Sequence, residues 1–375
     1  MAGGIARAAE AVKIGLILPM TGPSASTGKQ IDMAVKLYQA QNGDMVAGRK
    51  IEVLLRDDGG VADTTRRIAQ ELVVKDHVSA LMGFGLTPLA MATAPIATQA
   101  KIPMIVTAAA TSIITEKSPF IVRTAEVIPQ LGVAMADWSL QNGIKKVVTL
   151  VSDYAPGFDA EHWFSERFKQ GGGTVLASLR VPLANPDFAP FLQRAMDAKP
   201  DALFTFVPSG FGAVLAKQFV ERGMAKSGIR LIGTGDVTDD DQLDGMGDAV
   251  LGMVTAGPYS AAHPSAVNKA YVAAFEKANG GKRPNFMATW GYDGIALFYK
   301  ALAKTKGDTN GTKLVDAMKG MSWESPRGPL LIDPQTRDAV HNIYIRKVEK
   351  VDGHLFNVEM SDYPMMKDPA KAAGK

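Results

Sequence analysis

The 375-residue chain contains no cysteine. That excludes thiol nucleophiles, disulfides and zinc–thiolate centres together, and leaves the redox compartment open. Histidine is scarce. His77, His162, His263, His341 and His354 form no HExxH run and no pair at metal-ligand spacing, so no metal site is expected. No stretch reaches the roughly 18 uninterrupted apolar residues of a membrane span. Aromatic residues make up only 7%, and lysine and arginine are scattered among acids to a net charge of +3. Without a basic stripe interleaved with aromatics, no nucleic-acid partner is expected. Nucleotide motifs are missing as well. There is no GxxxxGK[ST]. Gly83-Phe84-Gly85 starts like a dinucleotide fingerprint, but Pro88 stands where the third glycine belongs, and PMIVTAAA runs where an acid should follow. Ser209 lies in VPSGFG, which is not a GxSxG nucleophile elbow. The chain therefore reads as a non-enzyme that needs no cofactor.

With 46% hydrophobic and 21% charged residues, the composition is that of a soluble globular protein. The length calls for two domains. Residues 12–28, VKIGLILPMTGPSASTG, read as a strand, a small-residue turn and a helix start, with the hydroxyls of Thr21, Ser24, Ser26 and Thr27 crowded at the helix N-terminus. Such a terminus seats a small anion, or is simply a capped turn. The pattern recurs. Strands are predicted over 12–18, 50–55, 79–82 and 103–106, with helices over 30–42, 63–74 and 89–99 between them. The alternation restarts with strands over 147–151, 174–180, 202–206 and 230–233 and helices over 159–170, 187–197 and 212–222. Two such runs predict an α/β fold with two doubly wound parallel sheets, each covered by helices on both faces. Helices over 265–279, 286–304 and 312–318 follow, then strand-like pieces over 328–332, 341–347 and 355–358.

Right-handed crossovers bring the turns after the strands to one rim in each lobe, where ligands of such folds bind. Those turns are PMTGPSASTG, GFGLTP, TAAATS, SDYAPGFD and VPSGFG, which are short, small or hydroxylated. Two facing rims of this kind predict a hinged clamp. The acidic stretch GDVTDDDQLDG does not fit a calcium loop and reads as a solvated turn, except that Asp236 follows a strand closely enough to reach the rim. Met287 and Trp290 open a helix and are read either as pocket wall or as core. Ala9-Glu10-Ala11 ends in the manner of a cleavage site, so residues 1–11 read as a trimmed export signal or a plain disordered N-terminus.

Three segments, VKIGLILPMTGPSASTG, KIEVLLRDDGGVADTTRRIAQELV and IPMIVTAAATSIIT with FIVRT, resemble the branched-chain amino acid–binding family, type I periplasmic solute-binding proteins of ABC importers. DYAPGFD, AVLAKQFVERGM and WGYDGIALFYKAL extend the resemblance over about residues 12–358. It implies two α/β lobes joined by three crossings, with residues 12–124 plus 258–332 in lobe 1 and 125–257 plus 333–375 in lobe 2. It further implies a periplasmic monomer that closes on a small-molecule carboxylate and is read by a membrane permease. In the family a turn hydroxyl and an Ala/Thr pair hold the ligand carboxylate. Those positions fall on Leu86 and Thr87 and on Ala108, Ala109, Ala110 and Thr111. The ungapped match gives Ala110, a one-residue gap gives Thr111, and Thr111 is preferred because its hydroxyl can donate. Backbone N–H groups, Ala109 among them, complete the expected seat. Tyr154, Phe158, Ser209 and Asp236 are expected to close from lobe 2. The departures bear on the ligand. Thr27 replaces a common aromatic, Pro156 replaces a tyrosine, and Gly235 replaces the acid that pairs with an α-ammonium. An unpartnered buried ammonium costs several kcal/mol. The expected ligand is therefore an aromatic or apolar acid without an α-amino group, near Phe84, Tyr154, Phe158, Phe211 and Trp290. The alternatives are a branched-chain amino acid or amide, or a ligand-sensing domain of a signalling system.

Overall fold

The computed structural model describes residues 10–372. All but the last two positions of the predicted export remnant, residues 1–11, lie outside the described residues. The chain runs β1 (Val12–Leu18), α1 (Ala25–Asn42), β2 (Met45–Val46), β3 (Arg49–Asp57), α2 (Ala62–Val74), β4 (Ala80–Gly83), α3 (Thr87–Ala100), β5 (Met104–Val106) and β6 (Ile121–Arg123). These strands form one sheet in the order β2-β3-β1-β4-β5-β6, parallel except for the β2–β3 hairpin. Strand periodicity assigns the faces. Val12, Ile14, Leu16 and Leu18 join one core with α1 and later helices, while Ile17 joins the opposite core beneath α2 and α3.

The second lobe begins with α4 (Ile128–Gln141), β7 (Lys146–Ser152), α5 (Ala155–Gln170), β8 (Thr174–Val181), α6 (Ala189–Asp197), β9 (Ala202–Phe206), α7 (Gly212–Glu221), β10 (Arg230–Thr234), α8 (Leu243–Met246) and β11 (Val254–Gly257). Helices α9 (Ala266–Ala278), α10 (Phe286–Lys304) and α11 (Gly311–Met318) then return to the first lobe, where Phe275, Phe286, Trp290 and Leu314 share a core with β1. The chain ends with β12 (Ser322–Ser325), β13 (Gly328–Ile332), β14 (Ala339–Val351), β15 (His354–Met366) and α12 (Pro369–Ala372). The second sheet has the order β12-β13-β14-β11-β10-β9-β7-β8, with β15 paired to β14. Its β7 to β11 half is parallel, and the remainder is antiparallel. No described helix is long and apolar enough to cross a membrane.

Helix α4 is absent from the sequence expectations. Most of its residues are buried, so it presents no polar stripe and no amphipathic signal. The predicted lobe boundary at residue 332 cuts through a hydrogen-bonded ladder, because β12 and β13 pair into the second sheet. Their side chains nonetheless reach the first lobe, since Ile332 joins its core and Trp323 donates to Asp293 of α10 at 3.2 Å. The chain therefore passes between the lobes near residues 124–127, 258–265 and 319–321.

Three fully buried arginines fasten these crossings. Arg123 meets Asp338 at 2.6 Å and donates to the Thr111 carbonyl at 2.7 Å. Arg327 meets Asp293 at 3.1 Å and donates to the Thr124 carbonyl at 2.6 Å. Arg346 donates to the Tyr259 carbonyl and to the Thr255 hydroxyl. The planar guanidinium suits this use because one head satisfies several carbonyls at once.

Candidate functional site

The turn after β1 is tied down from its neighbour. Asp57 at the end of β3 accepts from the Met20 N–H at 2.9 Å and from the Thr21 hydroxyl at 2.7 Å, which draws its carboxyl below the usual range. Gly28 lets α1 lie close, because a Cβ there would stand 2.3 Å from the Pro19 carbonyl oxygen. The hydroxyls crowded at this terminus therefore have separate duties. Thr21 is taken by Asp57 and Ser26 by Asp241 across the cleft, while Ser24 and Thr27 line an interlobe cavity.

The space free of protein atoms there, counted together with the part that opens to solvent, is about 440 Å³. Lobe 1 supplies Ser24 and Thr27 from the start of α1, Gly85, Leu86 and Thr87 from the start of α3, and Ala108, Ala109 and Ala110 from the turn after β5. Met287 and Trp290 of α10 complete that wall. Ile128 at the first crossing and, from lobe 2, Tyr154, Pro156, Phe206, Pro208, Ser209 and Asp236 close it. The Tyr154 and Phe206 rings stack with centroids 6.0 Å apart. Helices α1, α3 and α5 all begin at the cavity, and no side chain caps any of the three. Their N–H groups and positive dipole ends therefore converge on one space, which favours an anionic group.

Thr87 and Thr111 are both buried and share a hydrogen bond of 2.8 Å. Thr111 does not line the cavity; its hydroxyl holds that of Thr87, which does. The Ala109 N–H, predicted as a carboxylate donor, is committed to the Phe84 carbonyl at 3.0 Å.

Three further expected residues stand away from the cavity. Phe84 is buried in the core under α2 and α3. Gly83 and Phe84 both have positive φ, 123° and 72°, and this reversal of the chain carries the ring away from the rim. Phe158 is 40% exposed and lies under the Arg180 guanidinium at 4.5 Å. At Gly235 a Cβ would stand 2.6 Å from an Arg346 nitrogen, so this position accommodates the hinge arginine, and it does not line the cavity.

The acidic loop is largely buried, and of its acids only Asp244 is exposed. Asp236, Asp239 and Asp240 are buried. Asp239 accepts from Ser209 at 3.0 Å, and Asp240 accepts from Asn357 at 3.2 Å and the Ala261 N–H at 3.3 Å. Asp241 accepts from Asn285 at 2.9 Å and Ser26 at 3.2 Å, both on lobe 1. Asp236 reaches the cavity without any shift of the loop and accepts from Thr234 at 3.1 Å. Burial pushes its carboxyl up to about 6, with Arg346 opposing. Burial and the nearby Asp236 likewise push Glu126 and Tyr154 well above their usual ranges. Gly85, Ile128, Phe206 and Pro208 line the site without having been singled out as ligand contacts. For Phe206 and Pro208 the available signal is their place at and just past the end of β9.

The periplasmic binding protein family model matches residues 11–353. A Leu/Ile/Val-binding protein homologue of Brucella abortus is 40% identical over 371 residues, covering 97% of this chain and 95% of its own. A solute-binding protein of an ABC transporter from Rhodopseudomonas palustris BisB5, solved with 3,4-dihydroxybenzoic acid, is 62% identical, with a TM-score of 0.94 and coverage of 96% and 99%. Another from R. palustris, solved with 4-hydroxybenzoate, is 39% identical, with a TM-score of 0.93 and the same coverage. A match over almost the whole chain, on two lobes closed around one cavity, shows that this chain belongs to the periplasmic binding protein family.

Proposed function

We propose that the protein is the extracytoplasmic solute-binding component of an ABC importer and captures an aromatic carboxylate, in particular one with a ring hydroxyl. The observation that carries this reading is the polarity of the cavity. The uncapped starts of α1 and α3 stand on its lobe 1 wall and Asp236 stands on its lobe 2 wall, with the rings of Tyr154, Phe206 and Trp290 also lining it. A carboxylate belongs at the helix starts and is repelled by Asp236. With Thr111 donating in their shared hydrogen bond, Thr87 keeps its own proton and donates it to that carboxylate. Charge-assisted hydrogen bonds of this kind contribute about 1.5–3 kcal/mol each. The ring fills the apolar middle, and a ring hydroxyl donates to Asp236. Docking on lobe 1 comes first, and lobe 2 then closes through Asp241 and Ser209, a state that a membrane permease can distinguish from the open one. The relatives solved with hydroxylated benzoates support the same ligand class.

Asp236 also favours a second reading, in which it pairs with the ammonium of an α-amino acid. One experiment separates the two. Thermal shift is measured with 3,4-dihydroxybenzoate, 4-hydroxybenzoate, benzoate, leucine and phenylalanine, since a ligand that binds only the folded state raises the melting temperature. The hydroxylated benzoates should give the largest shifts and leucine none. A shift with leucine that exceeds those of the benzoates would establish the amino acid reading instead.

A further inference from the structure

Trp290 is 1% exposed and stands on the cavity wall contributed by α10. Its surroundings fix the ring. The Thr124 hydroxyl donates to the Trp290 carbonyl at 3.0 Å, and Phe286 meets the indole edge-on with centroids 4.8 Å apart. The indole Nε1, however, is buried without a hydrogen-bond partner. An indole N–H can only donate, and a buried donor left unpaired is costly enough that folded proteins rarely keep one. Among the described residues that line the cavity, Trp290 is the single one that carries a buried unpartnered polar atom. The other buried unpartnered atoms belong to side chains elsewhere, such as Thr149, Asn268 and Tyr271.

From this combination of burial, placement and an unspent donor we infer that the Trp290 Nε1–H is a ligand-binding group that donates to the carboxylate of the bound acid. The inference rests on the carboxylate reading above and adds a specificity-determining residue to it. Trp290 belongs to lobe 1 and shares a core with Ala108 and Met287, so it stands on the side of the cavity where α1 and α3 begin. Thr87 and Trp290 then grip the carboxylate from two elements, α3 and α10. An N–H to a carboxylate is a directed, charge-assisted bond, so it selects for an acid over a neutral ring of the same shape. The indole is thus more than apolar wall.

The test uses the whole chain and has three arms. Wild-type protein is titrated calorimetrically with 4-hydroxybenzoate and with 4-hydroxybenzyl alcohol. Trp290→Phe, which keeps a ring and removes the donor, is titrated in the same way. The indole ¹H–¹⁵N resonances of the wild-type tryptophans are followed as 4-hydroxybenzoate is added, with Trp290 assigned by its loss in the variant. The expected results are a dissociation constant for the acid raised about 10–100-fold in Trp290→Phe, with much less change for the alcohol, and an indole shift on binding that is largest at Trp290. The ligand-free variant should hold its melting temperature better than a typical core truncation, because an unpaired donor leaves with the indole. Two results together overturn the inference: affinity for the acid unchanged within about twofold, and a Trp290 resonance that moves no more than those of the other tryptophans. If wild-type protein binds none of the aromatic acids, the functional reading fails, and that outcome is separate from binding that ignores Trp290.

Discussion

Replacing Asp236 with asparagine should strengthen the ligand-free protein and weaken its hold on hydroxylated acids. Asp236 is 6% exposed, and burial raises its carboxyl from 3.8 to about 6. The folded state therefore binds the proton more tightly than the unfolded one. Below about 4 both states are protonated and the carboxyl costs nothing. Between about 4 and 6 the unfolded state ionises first and stability falls as pH rises, and above 6 the full penalty is present. A rise from 3.8 to about 6 corresponds to at most about 3 kcal/mol. That rise is already net of the attraction to Arg346, and an asparagine amide does not reproduce the hydrogen bonds of a protonated carboxyl, so a gain of about 1–2 kcal/mol is expected for Asp236→Asn at pH 7.5. That should appear as a melting temperature higher by roughly 2–5 °C, a difference that shrinks towards pH 4. In binding, the ring hydroxyl loses an ionised acceptor and keeps a neutral amide oxygen, which weakens 4-hydroxybenzoate about tenfold. Benzoate has no hydroxyl to lose and should change less than about threefold by the same argument. Calorimetric titration and differential scanning at pH 4.5, 6 and 7.5 measure both effects. A variant less stable than wild type at pH 7.5, or one that loses benzoate and 4-hydroxybenzoate equally, would refute the assignment of Asp236 to the ring hydroxyl.

Two further outcomes follow from interlobe and hinge contacts. Asp241→Ala removes the carboxylate that holds Ser26 and Asn285 of lobe 1, so every ligand should weaken, about 3–30-fold, through faster dissociation in stopped-flow measurements, with the larger factor for acids that carry a ring hydroxyl; unchanged dissociation rates would contradict a role in closure. Arg123→Ala leaves the buried Asp338 with Lys371 as its remaining cation, and should cost about 2–4 kcal/mol in urea unfolding; a loss below about 1 kcal/mol would show that the buried pair does not fasten the first crossing.

Local signals in the chain carried the first sheet well. The alternation of β1 through β5 with α1, α2 and α3 follows from strand periodicity and from small-residue turns, and both are written in consecutive residues. The same signals bring Thr27, Leu86, Thr87, Ala108, Ala109, Ala110, Tyr154, Ser209 and Asp236 to one cavity, because residues just past parallel strand ends share a rim, while Met287 reaches it from the start of α10. What escaped depends on partners distant in sequence or on backbone sign. Phe84 was read as a rim aromatic, and only its positive φ turns it inward. Phe158 lies one helical turn past Tyr154, yet its ring goes to Arg180 rather than to the cleft. Gly235 looked like a lost acid, whereas its missing side chain makes room for Arg346, more than a hundred residues later. The run Asp239-Asp240-Asp241 reads as a solvated turn as long as Ser209, Asn357 and Ser26 are not known to surround it.

On the proposed function, that loop would also couple ligand identity to closure. Four acids within six residues face four directions. Asp236 faces the cavity, Asp239 holds Ser209 on the cavity wall, Asp240 anchors the segment to Asn357 and the second crossing, and Asp241 grips lobe 1. Burial raises all four carboxyls, so each is stable as an anion only while its donors stay in place. A ligand hydroxyl that stabilises the Asp236 anion therefore supports the loop conformation that presents Asp241 to Ser26 and Asn285. Reopening the lobes removes the Asp241 donors and exposes that carboxylate to water, which releases its burial penalty. On the proposed function, a bound acid with a ring hydroxyl therefore favours the arrangement in which Asp241 grips lobe 1. This coupling requires the effects of Asp236→Asn and Asp241→Ala on 4-hydroxybenzoate to be non-additive in a double-mutant cycle, while the same cycle with benzoate should be additive within about 0.5 kcal/mol.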